Sequence, residues 1–236
     1  MNKIIHFLLT SAFALTLFAC SKDDTPDQQL VTDDEAVEIV ETSVSSRSGG
    51  FTEASADMAQ QVPTALLGGC NQQGDTLLAH NGSNLFAAYN YSNNVSWLLT
   101  CSNLNVPQQI DFSTNATTSF DAQRWDGSGT ATGNLTFSGL ASLQTAYVCN
   151  GAYQYQGTVT GSVRNQNPTL TTDLDAVLTD LAIRKSDQYI TGGTGNFTLT
   201  VSNGAGQSQT ISGAIVFNGD GTATVTIGGK SYTITL

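Results

Sequence analysis

Residues 211–236 read ISGAIVFNGDGTATVTIGGKSYTITL and contain three short runs in which apolar and polar residues alternate. The apolar positions of these runs are Ile211, Ile215 and Phe217, then Ala223, Val225 and Ile227, and finally Tyr232, Ile234 and Leu236. A period of two places such side chains on one face of a strand. Turn sequences at Gly219-Asp220-Gly221 and Gly228-Gly229 separate the runs. The stretch therefore predicts three consecutive antiparallel strands.

The same alternation recurs upstream, in a part of the chain that is rich in Thr, Ser, Asn and Gly. Leu135 with Phe137 and Phe197 with Leu199 belong to two such runs. In residues 174–183 the apolar residues shift from the even-numbered to the odd-numbered positions midway. This shift indicates a β-bulge, with a helix as the alternative. So many strands do not stay flat in one sheet. The predicted fold is all-β, an antiparallel curved sheet that closes as a barrel or a sandwich.

A short N-terminal helix is predicted before the strands. Thr32-Asp33-Asp34-Glu35 has the form of a capping box, in which the first and last side chains bond each other's backbone amides. Apolar residues then recur at helical spacing until Gly49-Gly50 ends the pattern. We expect a helix over residues 33–46, and residues 53–61 could add one or two helical turns.

The first 19 residues have the three parts of a secretory signal. A basic start at residues 1–3 precedes an apolar stretch at residues 4–19, which ends on a small residue. The stretch is shorter than the about 20 residues that span a bilayer. Its end, Leu17-Phe18-Ala19-Cys20, resembles the lipobox of bacterial lipoproteins. The resemblance implies cleavage before Cys20 and acyl chains on Cys20 that hold the chain to a membrane, with an ordinary signal peptide as the alternative.

Four residues directly follow this cysteine, namely Ser21, Lys22, Asp23 and Asp24. They look like the export signal of surface lipoproteins in the Bacteroidota, in which acidic residues next to the cysteine direct the protein to the outer leaflet. The resemblance implies a lipid-anchored protein of the outer membrane that is exposed at the cell surface. The alternative is that these residues are a solvated tether.

Four further segments extend the resemblance over most of the mature chain. They are residues 33–50, 161–167 (GSVRNQN), 190–195 (ITGGTG) and 217–223 (FNGDGTA). Together they look like a group of uncharacterised surface-exposed lipoproteins of the flavobacterial type. This resemblance implies an all-β surface lipoprotein and brings no catalytic residues to carry over.

The formal net charge of −11 comes from 19 acidic and eight basic residues, and more than half of the acidic residues lie before residue 60. The remaining chain is nearly neutral for its size and has no basic patch. A protein that binds nucleic acid needs such a patch to neutralise phosphates. We therefore expect no nucleic-acid partner.

Two alternating runs, residues 85–91 and 95–101, flank Asn93-Asn94, a dipeptide that tolerates positive φ. They predict a tight hairpin. On this interpretation Tyr89 and Tyr91 share the second face of the hairpin, opposite its core-facing row.

Besides Cys20, the sequence contains Cys70, Cys101 and Cys149. Three cysteines in an oxidising compartment predict one disulfide bond and one free thiol. Cys70 leads into the hairpin and Cys101 ends its core-facing row, which favours the Cys70–Cys101 bridge among three possible pairings. Cys149 lies in the middle of a predicted strand, where burial as a small hydrophobe is the ordinary outcome.

Aromatic residues supply the candidate binding site. Tyr89 and Tyr91 lie on the hairpin, and Trp125 stands between Arg124 and Asp126. Flat aromatic rings next to Asn, Thr and Asp can stack on sugar rings while their neighbours bond the sugar hydroxyls. Tyr89, Tyr91 and Trp125 are therefore candidates for ligand binding, and a role in the core is the alternative.

The sequence contains few of the residues that a metal site or a Ser–His–Asp catalytic triad requires. Outside the leader, His80 is the single histidine, and it precedes the turn pair Asn81-Gly82, which favours a solvated loop residue. No G-x-S-x-G motif and no zinc-ligand spacing is present. We expect no metal site and no cofactor.

Carboxylates are the remaining catalytic candidates, because glycoside cleavage needs only two of them at a suitable separation. The available residues are Asp111, Asp121, Asp126, Asp173, Asp175 and Asp180. No glutamate follows Glu53, and aspartates in this setting are common in turns and at strand edges. The chain is therefore predicted not to be an enzyme.

These features divide the chain into a signal peptide (1–19), a lipidated acidic tether (20–31), a helical segment (32–60) and an all-β domain (61–236). The predicted function is that of a non-enzymatic cell-surface lipoprotein, a binding or adhesion module for a glycan or a protein. The alternative is a barrel-type carrier of a lipid or a small hydrophobic ligand, plugged by the helix.

Overall fold

The computed structural model describes residues 29–83, 87–122, 124–161 and 167–236. The signal peptide, Cys20 and the export residues Ser21, Lys22, Asp23 and Asp24 lie outside the described residues. Two helices come first, α1 (Asp33–Val44) and α2 (Phe51–Gly68), with a 3-10 turn at Ser46–Ser48 between them. Ten strands follow: β1 Gln73–Ser83, β2 Ala87–Cys101, β3 Pro107–Ala122, β4 Trp125–Ser138, β5 Ala146–Gly161, β6 Thr169–Arg184, β7 Ile190–Asn203, β8 Ser208–Phe217, β9 Thr222–Ile227 and β10 Lys230–Thr235.

Each strand pairs antiparallel with its neighbour in sequence, so the sheet has the order β1 to β10. Within the described residues β1 pairs with β2 alone and β10 with β9 alone. The sheet therefore has two edges, and the barrel closure is not formed. The antiparallel, curved all-β sheet and the N-terminal helix are confirmed.

Both helices pack on one face of the sheet, which we call the inner face. Helix α1 contacts β9 and β10, and α2 contacts β1, β2 and β3. Alternate residues of the strands join the buried side chains of the helices in one hydrophobic core. The opposite side of the sheet, which we call the outer face, is open to solvent. Neither α1 nor α2 is long and apolar enough to cross a membrane.

The capping box of α1 is confirmed. Thr32 Oγ1 accepts a hydrogen bond from the Glu35 amide at 3.3 Å, and Glu35 Oε2 accepts one from the Thr32 amide at 2.7 Å. Helix α2 differs from the prediction, because it continues to Gly68 and passes through Pro63. Burial of Val62 and Ala65 in the core supports the helix beyond residue 60, although proline normally breaks one.

The hairpin predicted at Asn93-Asn94 is wrong. Strand β2 runs through this dipeptide and pairs with β1 on one side and β3 on the other. Asn93 can be buried within β2 because its side chain forms hydrogen bonds with Asp57 of α2 and Thr114 of β3. A polar residue that is satisfied inside the fold is indistinguishable, in sequence, from a turn residue.

Three other predictions are confirmed. The strands β8, β9 and β10 form the expected meander. Strand β6 has a register shift against β7 between Thr179 and Ala182, as expected for a bulge, and Asp180 has a φ of 52° there. Cys70 and Cys101 form a disulfide bond, while Cys149 is free and buried. Burial raises the pKa of the Cys149 thiol to about 12.

Candidate functional site

The predicted aromatic site does not lie on the surface. Tyr91 and Trp125 are each only 3% exposed, and Tyr89 is half-buried. Trp125 Nε1 donates to Glu38 Oε2 of α1 at 2.8 Å. The expectation of an exposed aromatic patch is therefore wrong for Tyr91 and Trp125. Because β2 continues through residues 93 and 94, Tyr91 takes an inner-face position under the helices.

His80 also differs from its prediction, since it lies within β1 and not in a loop. Its ring stacks on that of Tyr91, its cross-strand partner, with 5.9 Å between the centroids. His80 Nε2 forms a hydrogen bond of 2.7 Å with Asp57 Oδ1, and Asn93 Nδ2 donates to Asp57 Oδ2 at 3.1 Å. The oxygen of the Asn93 amide accepts from Thr114 Oγ1.

This inner cluster connects helix α2 to the first three strands. Asp57 is 3% exposed, so its carboxylate depends on these partners for compensation of its lost hydration. Glu53 Oε1 lies 3.9 Å from His80 Nε2, and burial raises the pKa of Glu53 while the charge of His80 opposes the shift. Among the residues that the structure describes, no group of three or more His, Cys, Asp or Glu side chains could hold a metal. The cluster fastens the helix to the sheet.

The interior next to α1 contains almost no free space. An apolar cavity between the helices and the sheet has a volume of about 10 Å³. Val40, Phe51, Tyr153 and Phe217 are among the side chains that line it. A cavity of this size holds at most a single water molecule.

The outer face offers a larger and more accessible surface. Because the strands pair in register, outward side chains form rows across the sheet. One row contains Asp75, Ser96, Ser113, Asn134, Ala152, Val177, Asn196 and Ala214, from β1 to β8. The row beside it contains Leu77, Asn94, Asn115, Thr132, Gln154, Asp175, Thr198 and Ser212.

A shallow furrow runs between such rows, with the backbone of inward-facing residues as its floor. One stretch crosses β4 to β8, has a volume of about 640 Å³ and is lined by residues that include Gln154, Asp175 and Thr198. The other crosses β1 to β4, also with about 640 Å³, and is lined by residues that include Asp75 and Asp111. The two stretches lie on opposite sides of the row that contains Asn134, and Asn134 lines both of them. We call the two together the outer furrow.

The outer furrow contains carboxylates but no cations. Neither stretch is lined by lysine or arginine. The lysines and arginines in the described part of the chain lie in the helical segment or beyond the ends of the furrow, at Arg47, Arg124, Arg184, Lys185 and Lys230. The furrow therefore presents a neutral to negative surface.

Hydrogen bonds hold part of this surface in place. Asp111 accepts from Thr136 Oγ1 at 2.8 Å and from Gln109 Nε2 at 3.1 Å. Gln154 Nε2 donates to Asp173 Oδ1 at 3.3 Å. Side chains that are fixed in this way lose less entropy when they bind a ligand.

Apolar contacts in the furrow are few. Leu98 and Val177 are exposed, and Val177 keeps 59% of its surface open to solvent. Among the described residues, the one aromatic with a large exposed area is Tyr189, which lies at the turn before β7 and outside the furrow. A ligand would therefore be held mainly through hydrogen bonds.

Comparison of the chain with models of protein families, with curated proteins and with solved structures found no match.

Proposed function

We propose that the protein is a lipid-anchored surface module that binds neutral polysaccharides in the outer furrow and does not cleave them. One observation carries the proposal. The two stretches of the furrow together cross eight neighbouring strands, are lined by hydroxyl, amide and carboxylate groups, and include no lysine or arginine in their lining.

The spacing of the polar groups suits a chain of sugars. Neighbouring strands lie about 4.8 Å apart, a length comparable to one pyranose unit, and eight strands extend over about 34 Å. Each strand can therefore present one or two side chains to one sugar. Carboxylate and amide groups such as those of Asp175 and Gln154 accept or donate in pairs to adjacent hydroxyls.

The charge of the furrow selects among polysaccharides. Asp75, Asp111 and Asp175 repel uronate, sulfate and phosphate groups, and no nearby cation offsets this repulsion. Neutral chains, and chains with amino groups, carry no such penalty. The same reasoning disfavours nucleic acid as a ligand.

The absence of exposed aromatics in the described furrow sets the strength of binding. A hydrogen bond between neutral groups contributes about 0.5–1.5 kcal/mol net, so a few of them give a weak single site. Many copies on one surface would bind a long polymer far more strongly through avidity. Weak single sites thus suit adhesion to polymers.

Binding without cleavage is supported by the setting of the aspartates. Asp173 and Asp175 lie two residues apart on the outer face, a separation that suits a pair of catalytic carboxyls. Both contact solvent, however, and Asp175 is exposed. Hydrolytic sites exclude bulk water from the reacting groups, whereas these two side chains lie on the open face of the sheet.

The membrane attachment is part of the same proposal. Its support is the sequence around Cys20 and the acidic residues Asp23 and Asp24 that follow. Gln209 of β8 holds the first described residues of the chain, because its Oε1 accepts from the amides of Leu30 at 2.8 Å and Val31 at 3.0 Å. The proposed tether to the outer membrane precedes these residues in the chain.

A carrier of hydrophobic ligands receives less support. Such a protein needs an apolar cavity large enough for its ligand, and ligand pockets commonly measure hundreds of Å³. The apolar cavity next to α1 has about 10 Å³. We therefore favour the binding module over the carrier.

The test compares two variants of one strand. Asn134 lines both stretches of the furrow, whereas Ser128 lies on the same face of β4 outside it. For the full chain in mild detergent, we expect Asn134→Ala to weaken binding to a neutral polysaccharide about 3- to 10-fold, the equivalent of one hydrogen bond. Ser128→Ala should leave the binding unchanged.

Affinity electrophoresis or biolayer interferometry with neutral, amino-bearing and sulfated polysaccharides provides the readout. Thermal unfolding of both variants checks that the fold is intact. Binding to the sulfated polymer with equal strength, or equal behaviour of the two variants, would contradict the proposal.

A further inference from the structure

Strand β1 forms a long, free edge of the sheet. It pairs with β2 along Gln73–Ser83, and no strand of the described residues pairs with its other side. Such an edge presents a row of unpaired backbone N–H and C=O groups, which can pair with another strand.

The edge at β1 has few of the features that normally block strand addition, and Asp75 is its one acidic residue. Its sequence, QGDTLLAHNGS, contains no lysine, arginine or proline. The other edge, β10, is shorter and begins with Lys230. The amide of Thr235 in β10 already donates to Glu41 Oε1 at 3.1 Å. Of the two edges, β1 is therefore the one open to pairing.

Strand β1 is also held in place before any partner arrives. The Cys70–Cys101 disulfide fixes the chain just before the strand. Near its other end, His80 bonds to Asp57 of helix α2 at 2.7 Å. A strand that is ordered in advance loses little conformational entropy on pairing.

Leu77 stands at the centre of this edge on the outer face and is 71% exposed. We propose that β1 pairs antiparallel with β1 of a second copy of this chain, around a two-fold axis through Leu77. In this register each Leu77 lies opposite its counterpart, so each covers part of the apolar surface of the other. The side chains of paired residues share a face, and the two sheets continue into each other.

The charges of β1 fit a second copy. With Leu77 at the axis, Asp75 lies opposite Ala79, and His80 lies opposite Gly74. The two Asp75 carboxylates are then about 13 Å apart along the strand direction, beyond the Debye length of physiological salt. No pair of like charges faces each other in this register. The strand is therefore complementary to itself.

The pairing is expected to be weak. Residues 73–81 of each copy overlap, which is fewer than the 20–30 residues per side of a standard interface. The net charge of −11 on each copy adds a repulsion that salt screens. The dimer should therefore dissociate at micromolar concentration and strengthen as salt is added.

Cysteine trapping tests the register in the full chain. Leu77→Cys places two cysteines opposite each other at the axis, with their Cβ atoms about 4.5–5.5 Å apart, so that a shift of about 1 Å brings them within the distance of a disulfide. Leu143→Cys is the control, because Leu143 is 95% exposed in the loop between β4 and β5. Under mild oxidation, non-reducing gels should show a covalent dimer for Leu77→Cys and at least tenfold less for Leu143→Cys.

A second variant tests the dimer without cysteine chemistry, so that disulfide exchange cannot account for the result. Leu77→Lys places two like charges at the axis, so native mass spectrometry of the detergent-solubilised protein should show a dimer for the natural chain and a monomer for the variant. The control Val216→Lys, on the outer face of β8, should keep the dimer. Equal trapping of both cysteines, a monomeric natural chain at about 100 µM, or a partner other than this chain on β1 would overturn the proposal.

Discussion

Asp57 shows how a single buried carboxylate organises the inner face. It accepts hydrogen bonds from Asn93 and His80, and so connects α2 to β1 and β2. Asn93 in turn bonds Thr114 of β3. The fold tolerates the buried carboxylate because His80 and Asn93 form hydrogen bonds with it. These two side chains would in turn lose a hydrogen-bond partner without it.

We expect Asp57→Ala to lower the free energy of unfolding by about 3 kcal/mol, because Asn93 and His80 lose their acceptor inside the fold. Urea unfolding followed by circular dichroism measures the change. Asp175→Ala is the matched control, since Asp175 is exposed and should cost less than about 0.5 kcal/mol. A change in Asp57→Ala as small as that of the control would show that the cluster does not hold α2 to the sheet.

At the scale of elements, helix α2 combines a strong apolar face with a proline, which is unfavourable inside a helix. Pro63 lies inside the helix and has no amide to donate to the carbonyl of Ala59. The helix persists because Met58, Val62 and Ala65 are buried against the sheet. Tertiary packing thus outweighs local propensity in this segment.

Replacement of this proline should stabilise the protein. We expect Pro63→Ala to raise the free energy of unfolding by about 1 kcal/mol, because alanine restores a helical hydrogen bond at an exposed position. Pro107→Ala at the start of β3 provides the control, with a change within about 0.5 kcal/mol. Destabilisation by Pro63→Ala would indicate that the core requires the bend that proline imposes.

The composition of the outer face is not set by packing, unlike that of the inner face. Its residues are exposed, so packing places little constraint on them, yet the rows from β1 to β8 consist mostly of Ser, Thr, Asn, Gln and Asp. Solubility alone would accept Lys and Glu at the same positions equally well. Their absence from the furrow is the feature that the proposed polysaccharide site explains.

At the scale of the whole molecule, the proposed anchor and the folded part act together. Acyl chains on Cys20 would hold the protein at the membrane. The residues between Cys20 and Leu30 would set how far the sheet can extend from it. Because two or more acyl chains anchor stably, loss of the cysteine should release the entire protein.

We expect Cys20→Ser to move the protein from the membrane fraction to the soluble fraction or the medium, as measured by fractionation and immunoblotting. Metabolic labelling with a palmitate analogue should mark the natural chain and not the variant. Ser21→Ala serves as the control and should remain with the membrane. Retention of Cys20→Ser in the membrane fraction at its normal size would contradict lipid anchoring.

Sequence periodicity predicted much of this fold. The alternation in residues 211–236 identified the last three strands, because burial of one face is recorded directly in every second residue. The capping box of α1 and the Cys70–Cys101 bridge were predicted equally well. These features depend on local spacing or on few possible pairings.

Local patterns failed where distant residues supply the partners. Asn93-Asn94 resembles a turn, and His80 next to Asn81-Gly82 resembles a loop residue, but Asp57 accommodates both Asn93 and His80 inside the fold. The helix past Pro63 has the same cause, since its support comes from strands that follow later in the chain. The placement of Tyr91 and Trp125 failed for this reason as well.

The sequence by itself determined the strand content, the first helix and the lack of basic patches, because composition and period are properties of neighbouring residues. Only the tertiary structure decided which strands lie side by side in register, and hence that Asp75, Asn134 and Asp175 border one furrow. It also decided that no strand of the described residues pairs with the outer side of β1. Both depend on the register in which neighbouring strands pair, and a slip of two residues would leave the alternation within each strand unchanged.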